Sequence, residues 1–423
     1  MDAHASAFLQ TNPFKQLTIA NACGDIAAPA PARAAGASVP ATALRQPDRP
    51  HQQQVRRQLL NPRAPWPALD GGVDGTAVQL ELSRLLDSGD PLVPLMQPGA
   101  RVLRAAVSTL RLHPLAQWLL TAAAERRPSA WQHAVRAMAL AGALAWHQHA
   151  SGEFLQRAML AGLLHDLGEI YVEPAYLGSG RQLDLGEYRQ LASHPHIGAM
   201  LLGELTDLPA DVSRAVAEHH ERLDGTGYPF QLLGPALSPM GQLMQVVELV
   251  LGIVDLQRPA PAARASFALR FVPGELSGPW AGPITRWAEG ESIVLPMPQQ
   301  GPEPHAEMAE LDAGLQRVQD LAEAISAQLD GSSQRVAQRA AHRLNRLRSA
   351  WNAMGLWSLP PGQIEPRERF DIGLALRELR WRISTIGRDS LWPETELKVL
   401  ADARLVPLWT TLESLGRRGG GTA

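Results

Sequence analysis

His219-His220-Glu221-Arg222-Leu223-Asp224-Gly225-Thr226-Gly227-Tyr228-Pro229 joins two adjacent imidazoles to a turn rich in glycine and closed by proline. Its first half reads as the end of a helix and its second half as a tight loop. Glycine admits positive φ and close backbone approach, and proline stops any return to helix. A helix that ends in imidazoles and runs into such a loop suits an anion held beside a metal. The loop N–H groups can face a phosphate while the histidines hold the cation.

Working outward, eight of the 13 histidines fall between His133 and His220, and that clustering decides where a metal could be built. His133 opens a helical stretch with Arg136 three residues on. Leu160, Leu163, Leu164 and Leu167 form an apolar helix into which His165-Asp166 is set, followed by Gly168-Glu169. Such a pair is costly to bury unless each side chain has a partner. A shared cation serves both, the imidazole giving a lone pair to one metal and the carboxylate bridging two. A simple His–Asp hydrogen bond is the other reading. His194-Pro195-His196-Ile197-Gly198 follows, and then the helical stretch from Gly241 that carries Glu248, either a ligand or a solvated glutamate. No alternating strand pattern interrupts residues 128–258, so an all-α fold is expected.

The quoted stretch resembles the HHExxDGxGYP signature of HD-GYP domains, which belong to the HD superfamily of metal-dependent phosphohydrolases. His133 with Arg136 resembles the family's HxxR helix, His165-Asp166 its HD pair, and His194-Pro195 with Gly198 its HPxxG element. The resemblance implies metal ligands at His133, His165, Asp166, His194, His219 and His220, with Glu248 where the family has an aspartate. It implies two divalent transition metal ions, iron or manganese, and a cyclic dinucleotide, cyclic di-GMP, as substrate. A third-metal glutamate is not expected, because position 129 is Ser. Asp166 and Glu169 are expected at the reacting phosphate. Arg136, Arg222, Asp224, Gly225, Gly227, Tyr228 and Pro229 are expected to bind the substrate. His196 is read as a bystander.

Three positions depart from the family near the chemistry: Glu248, Gln242 in place of an arginine, and Glu169 in place of the lysine of HDxGK. A charge reversed at ~4–6 Å and an effective dielectric of ~20 costs roughly 5–8 kcal/mol before screening. Protonation of Glu169, or its recruitment as a ligand, would soften that. The expectations are therefore a cyclic di-GMP phosphodiesterase, or a degenerate domain serving as a metal- or dinucleotide-binding scaffold.

The rest of the chain frames this segment. Residues 1–72 read as an Ala/Pro-rich, largely disordered tail, with 12 of the 17 residues from Ala27 to Ala43 being Ala or Pro. Residues 73–124 read as a helical lead-in, 125–298 as the HD-GYP-like domain, 301–416 as a C-terminal helical bundle and 417–423 as a disordered tail. In the bundle Met308, Leu311, Leu315, Val318 and Ala322 form a heptad-like seam, and Ile372, Leu376, Leu379, Ile383 and Ile386 form another. The bundle is closed within one chain, or else forms a homodimer or meets a protein partner. Arg335, Arg339, Arg343 and Arg346 share one side of its second helix, either a solvated face or a site for an acidic partner or phosphate. A net charge of −3 gives no electrostatic case for a nucleic-acid polymer. The single cysteine, the lack of a signal-peptide pattern in Met1 to Gln10 and the lack of a long apolar run lead to an expected cytoplasmic location with no membrane span.

Overall fold

The structure is a computed structural model that describes residues 72–177, 183–254, 259–291, 304–355, 364–392, 399 and 402–417. The tail assigned to residues 1–72 lies, but for residue 72, outside the described residues, and that assigned to 417–423 lies outside them but for residue 417. The described residues are helical throughout. They contain no strand, and their one recorded β-bridge joins Asp224 to Leu233. The chain divides into two compact units, Met1–Leu256 with Ser277–Pro283, and Gln257–Leu276 with Ile284–Ala423.

In the first unit α1 (Gly75–Leu86), α2 (Val93–Met96), α3 (Ala100–Ser108) and α4 (Pro114–Arg126) precede α5 (Pro128–His147) and α6 (Gly152–Leu164). Asp74 caps α1 by accepting the Ala77 N–H at 2.8 Å, and Val78, Leu82 and Leu86 bury one stripe at four-residue spacing. The lead-in is thus part of this unit, with α1, α3 and α4 all packed on α5. The centre of α5 is a buried run from Ala137 to Ala145, mostly alanine and leucine. These small side chains let α6 approach closely. A Cβ added at Gly162 would stand 2.7 Å from the Ala137 carbonyl oxygen. The close crossing carries His133, on α5, and His165, at the end of α6, to 5.1 Å between ring centroids.

The unit continues through α7 (Leu185–Ala192), α8 (His194–Leu205), α9 (Ala210–Glu218) and α10 (Pro239–Ile253). α8 packs on α9, and α9 on α10, which also packs against α5 and α6. A Cβ at Gly168 would fall 2.0 Å from the His194 carbonyl oxygen, so the turn after Asp166 lies directly against the start of α8.

The second unit contains α11 (Pro261–Phe271), α13 (Pro304–Gln328), α14 (Gly331–Ala353), α15 (Pro366–Leu391) and α16 (Val406–Arg417); α12 (Gly278–Glu289) crosses the division. Of residues 259–298, expected within the preceding domain, Ser277–Pro283 go with the first unit and the remainder with the second. Phe271 and Val272 join the core of the second unit, and Arg382 on α15 is paired with Glu275. Met308, Leu311, Leu315 and Val318 of α13 meet Leu344 and Trp351 of α14, Ile372, Leu379 and Ile383 of α15, and Leu408 and Leu412 of α16 in one apolar core. The heptad-like seam is therefore closed within a single chain. Of the four arginines singled out on α14, Arg335 is exposed, as a solvated face requires, whereas the other three are engaged by the rest of the unit. Arg339 donates to the Ser390 carbonyl at 3.0 Å, Arg346 to that of Pro273 at 3.1 Å, and Arg343 lies 4.0 Å from Asp389.

Candidate metal centre

Three of the histidines sit at helix ends, and the same device orients each. His165 caps α6, His194 begins α8 and His219 caps α9. Their Nδ1 atoms face the carbonyl oxygens of Gly162, Leu191 and Val216, each three residues back, at 2.8, 2.7 and 2.6 Å. A carbonyl oxygen only accepts, so each Nδ1 carries the proton and each Nε2 presents a lone pair.

Those lone pairs converge in two groups. In one, His165 Nε2 lies 3.2 Å from His133 Nε2 and 3.4 Å from Glu248 Oε2. In the other, His194 Nε2 lies 3.1 Å from His219 Nε2, with His220 beside them. Asp166 stands between. Its Oδ2 is 3.2 Å from His165 and 3.4 Å from His133, and its Oδ1 is 3.4 Å from His194 and 3.6 Å from His219. One carboxylate thus offers a different oxygen to each group.

The arrangement fits cations. Ligand atoms about 2.0–2.1 Å from a common ion stand roughly 3.0–3.4 Å apart, close to the separations here. Two imidazole lone pairs 3.1 Å apart repel unless something positive lies between them. Glu248 Oε2 is buried without a hydrogen-bond partner, as expected of an oxygen reserved for a metal. His133, His165 and Glu248 form one group able to hold a metal ion, and Asp166, His194, His219 and His220 a second. The charges agree. Burial opposes protonation of His165, yet the adjacent Asp166 charge holds its pKa well above the ordinary range. Burial and the neighbouring His219 push His220 well below it.

Residues 118–269 match the family described as HD domain. This segment is an HD domain. Over 143 residues, 34% of this chain and 34% of the relative, the protein is 34% identical to a cyclic di-GMP phosphodiesterase of Pseudomonas aeruginosa. Over 103 residues, 24% of this chain and 22% of the relative, it is 33% identical to a 3'3'-cGAMP-specific phosphodiesterase of Vibrio cholerae. Over 110 residues, 26% of this chain and 29% of the relative, it is 32% identical to a cyclic di-GMP phosphodiesterase response regulator of Xanthomonas campestris. The chain thus spans about a third or less of these relatives' length.

In this HD domain the loop after His220 is built around a residue to which the sequence reading gave no role. Glu221 is fully buried, and its carboxylate accepts the backbone N–H groups of Phe230, Gln231 and Leu232 at 2.5, 3.1 and 2.9 Å. Burial pushes it up to about 7, against the pull of those donors. Glu218, one residue before His219, accepts the N–H and O–H of Ser238, the N-cap of α10, at 2.9 and 2.5 Å. Gly241 leaves the space for it, since a Cβ there would lie 2.0 Å from Glu218 Oε2. The two glutamates fasten the ends of the loop that presents His219 and His220.

Several residues expected to meet the substrate have partners within the fold. Arg136 is paired with Asp90 at 2.8 Å and reaches the Val254 carbonyl. Tyr228 stacks on His220, ring centroids 4.5 Å apart and 18° between planes. Asp224 accepts the N–H and O–H of Thr226 at 3.0 and 2.6 Å. Gly227 is buried where a Cβ would lie 2.3 Å from Glu221 Cα, and Pro229 is buried. Gly225 takes φ 75°, which turns the loop. Arg222 donates to the Glu221 carbonyl at 2.8 Å. His196 packs edge-on to Phe230, apart from both ligand groups.

Glu169 is not an isolated negative charge. It forms an ion pair with Arg127, which the sequence reading did not single out. Burial, with Asp166 adding to it, pushes Glu169 up to about 7, while His194 and Arg127 pull against it. The roughly 5–8 kcal/mol expected for reversing a charge at this position is therefore offset in part by Arg127.

Proposed function

We propose that the protein is a metal-dependent phosphodiesterase that opens cyclic di-GMP, with two first-row transition ions, iron or manganese, held in the HD domain. The observation that carries this reading is the division of Asp166 between two groups of inward-facing imidazoles. Mixed imidazole and carboxylate donors favour such ions over magnesium or calcium. Divalent cations in such a place lower the pKa of water toward neutrality and offset phosphodiester charge. The residues do the positioning. Asp166 sets the spacing of the two groups, the Nδ1–H donors to carbonyls hold the imidazoles in one tautomer, and Tyr228 keeps His220 in place. The names of the relatives support a cyclic dinucleotide as the substrate class, and a place in second-messenger turnover inside the cell goes with it.

A second reading rests on Glu169. A carboxylate beside Asp166 suits a domain that keeps its metals and binds the dinucleotide without cleaving it. Incubation of anaerobically purified, metal-loaded full chain with cyclic di-GMP and with 3'3'-cGAMP, followed by product analysis, separates the two. Linear pGpG or GMP formed from cyclic di-GMP is the expected result. Binding without cleavage favours the second reading, and neither binding nor cleavage refutes both.

A further inference from the structure

Arg127 lies at the junction of α4 and α5 with φ −150° and ψ 95°, and Pro128 starts α5 directly after it. Proline at the first helical position fixes that break, so the arginine leaves the backbone at a defined point. Its guanidinium crosses to Glu169, 42 residues on in the chain. Glu169 belongs to the 3₁₀ turn Leu167–Tyr171 and donates its N–H to the Asp166 carbonyl at 2.9 Å. Side chains three apart in a 3₁₀ turn eclipse one another, so the carboxylates of Asp166 and Glu169 share one face. The charges of Asp166, His194 and His133 all act on Glu169. The ion pair therefore lies on the side of this turn that carries the Asp166 carboxylate.

The pair is asymmetric. The Glu169 side chain is 16% exposed and that of Arg127 is 34% exposed. A guanidinium has five N–H donors in a planar fork. Besides Glu169, Arg127 reaches the Leu177 carbonyl at a long 3.4 Å. A carboxylate on one side and solvent on the other is the setting of an arginine oriented to meet an anion, and such forks suit phosphate oxygens.

We propose that Arg127 is the phosphate-binding cation of this site and that Glu169 is the positioning residue that holds its guanidinium toward the substrate. The proposal rests on the phosphodiesterase reading, since it assigns the group that would meet a phosphodiester oxygen. It gives the carboxylate at position 169 a use, as the partner of a positive charge supplied by Arg127.

The test uses the metal-loaded full chain and four forms: wild type, Arg127→Ala, Arg127→Lys and Glu169→Gln. Binding of a slowly cleaved phosphorothioate analogue of cyclic di-GMP is measured over a range of salt, with metal content determined on each sample. Loss of one charge-assisted contact is expected to weaken binding of Arg127→Ala roughly 10–100-fold and to flatten its salt dependence, with metal content unchanged. Arg127→Lys keeps the charge but not the fork, and recovers the salt dependence and part of the binding. Glu169→Gln loses less than Arg127→Ala, and the loss appears mainly in KM for cyclic di-GMP. Wild-type affinity and salt dependence in Arg127→Ala, alongside cleavage by the wild type, would overturn this assignment and leave the phosphodiesterase reading standing. A metal-loaded wild type that neither binds nor cleaves the dinucleotide would overturn both.

Discussion

Gly168→Ala is a small change with a calculable consequence. The new Cβ would lie 2.0 Å from the His194 carbonyl oxygen, 2.8 Å from its carbon and 2.9 Å from Gly198 N, where separations under 3.0 Å are essentially never found. Relief requires the start of α8 to withdraw from the turn after Asp166 by at least about 1.0 Å (3.0 − 2.0). His194 Nε2 is 3.4 Å from Asp166 Oδ1, and metal–ligand distances tolerate only about ±0.2 Å. The substitution therefore opens the group formed by Asp166, His194, His219 and His220, while His133, His165 and Glu248 keep their relations. Overpacking of this kind costs about 1–3 kcal/mol, so the helices should still form. Metal analysis of the purified full chain should fall from two ions to about one, and hydrolysis by roughly 100-fold, with the far-ultraviolet circular dichroism unchanged. Gly252→Ala on α10, where nothing lies within 4 Å, is the control, and should be neutral or stabilising by up to about 1 kcal/mol. Two tightly held ions and undiminished turnover in Gly168→Ala would refute the reasoning.

Further expectations follow from the loop and from the second unit. Glu221→Gln presents an amide where three backbone donors need acceptors, and should lower stability to urea by about 1–3 kcal/mol; an unchanged midpoint would contradict the role of Glu221 as the anchor of the loop. Tyr228→Leu removes the ring stacked on His220 and should weaken binding of one of the two ions by about 10-fold or more in a metal titration, leaving the other unaltered. In the second unit burial pushes the Glu378 carboxyl up, although Arg382 pulls against it. A raised folded pKa gives stability that is complete below the unfolded value near 4.5 and lost as pH rises through the folded value. The stability of Glu378→Gln relative to wild type should therefore rise as pH increases above the unfolded value near 4.5. Urea midpoints across that range check the slope, and a flat or opposite trend counts against it.

Much of the site was legible because imidazoles at helix ends and a glycine-rich loop have few other uses in that order. His133, His165, Asp166, His194, His219, His220 and Glu248 come together in two groups. The helices α13, α14 and α15 were legible for a different reason, since each needs one apolar stripe to bury. What escaped were pairings between charged groups far apart in the chain, which leave no periodic trace. Arg127 finds Glu169 across 42 residues, and Arg136 finds Asp90 across 46. Arg343 and Arg339 look like a cationic face on α14 until Asp389 and the Ser390 carbonyl are placed opposite them. Glu218 and Glu221 were in plain view, but a carboxylate that accepts backbone N–H groups looks in sequence like any surface glutamate.

The central claim is that one carboxylate serves two cation sites. Metal content of the anaerobically purified full chain, wild type beside Asp166→Ala, tests it most directly. The account predicts two transition-metal ions per chain in the wild type and reduced occupancy of both sites in Asp166→Ala. A wild type without metal, or an Asp166→Ala protein that retains both ions with unaltered affinity, would contradict it.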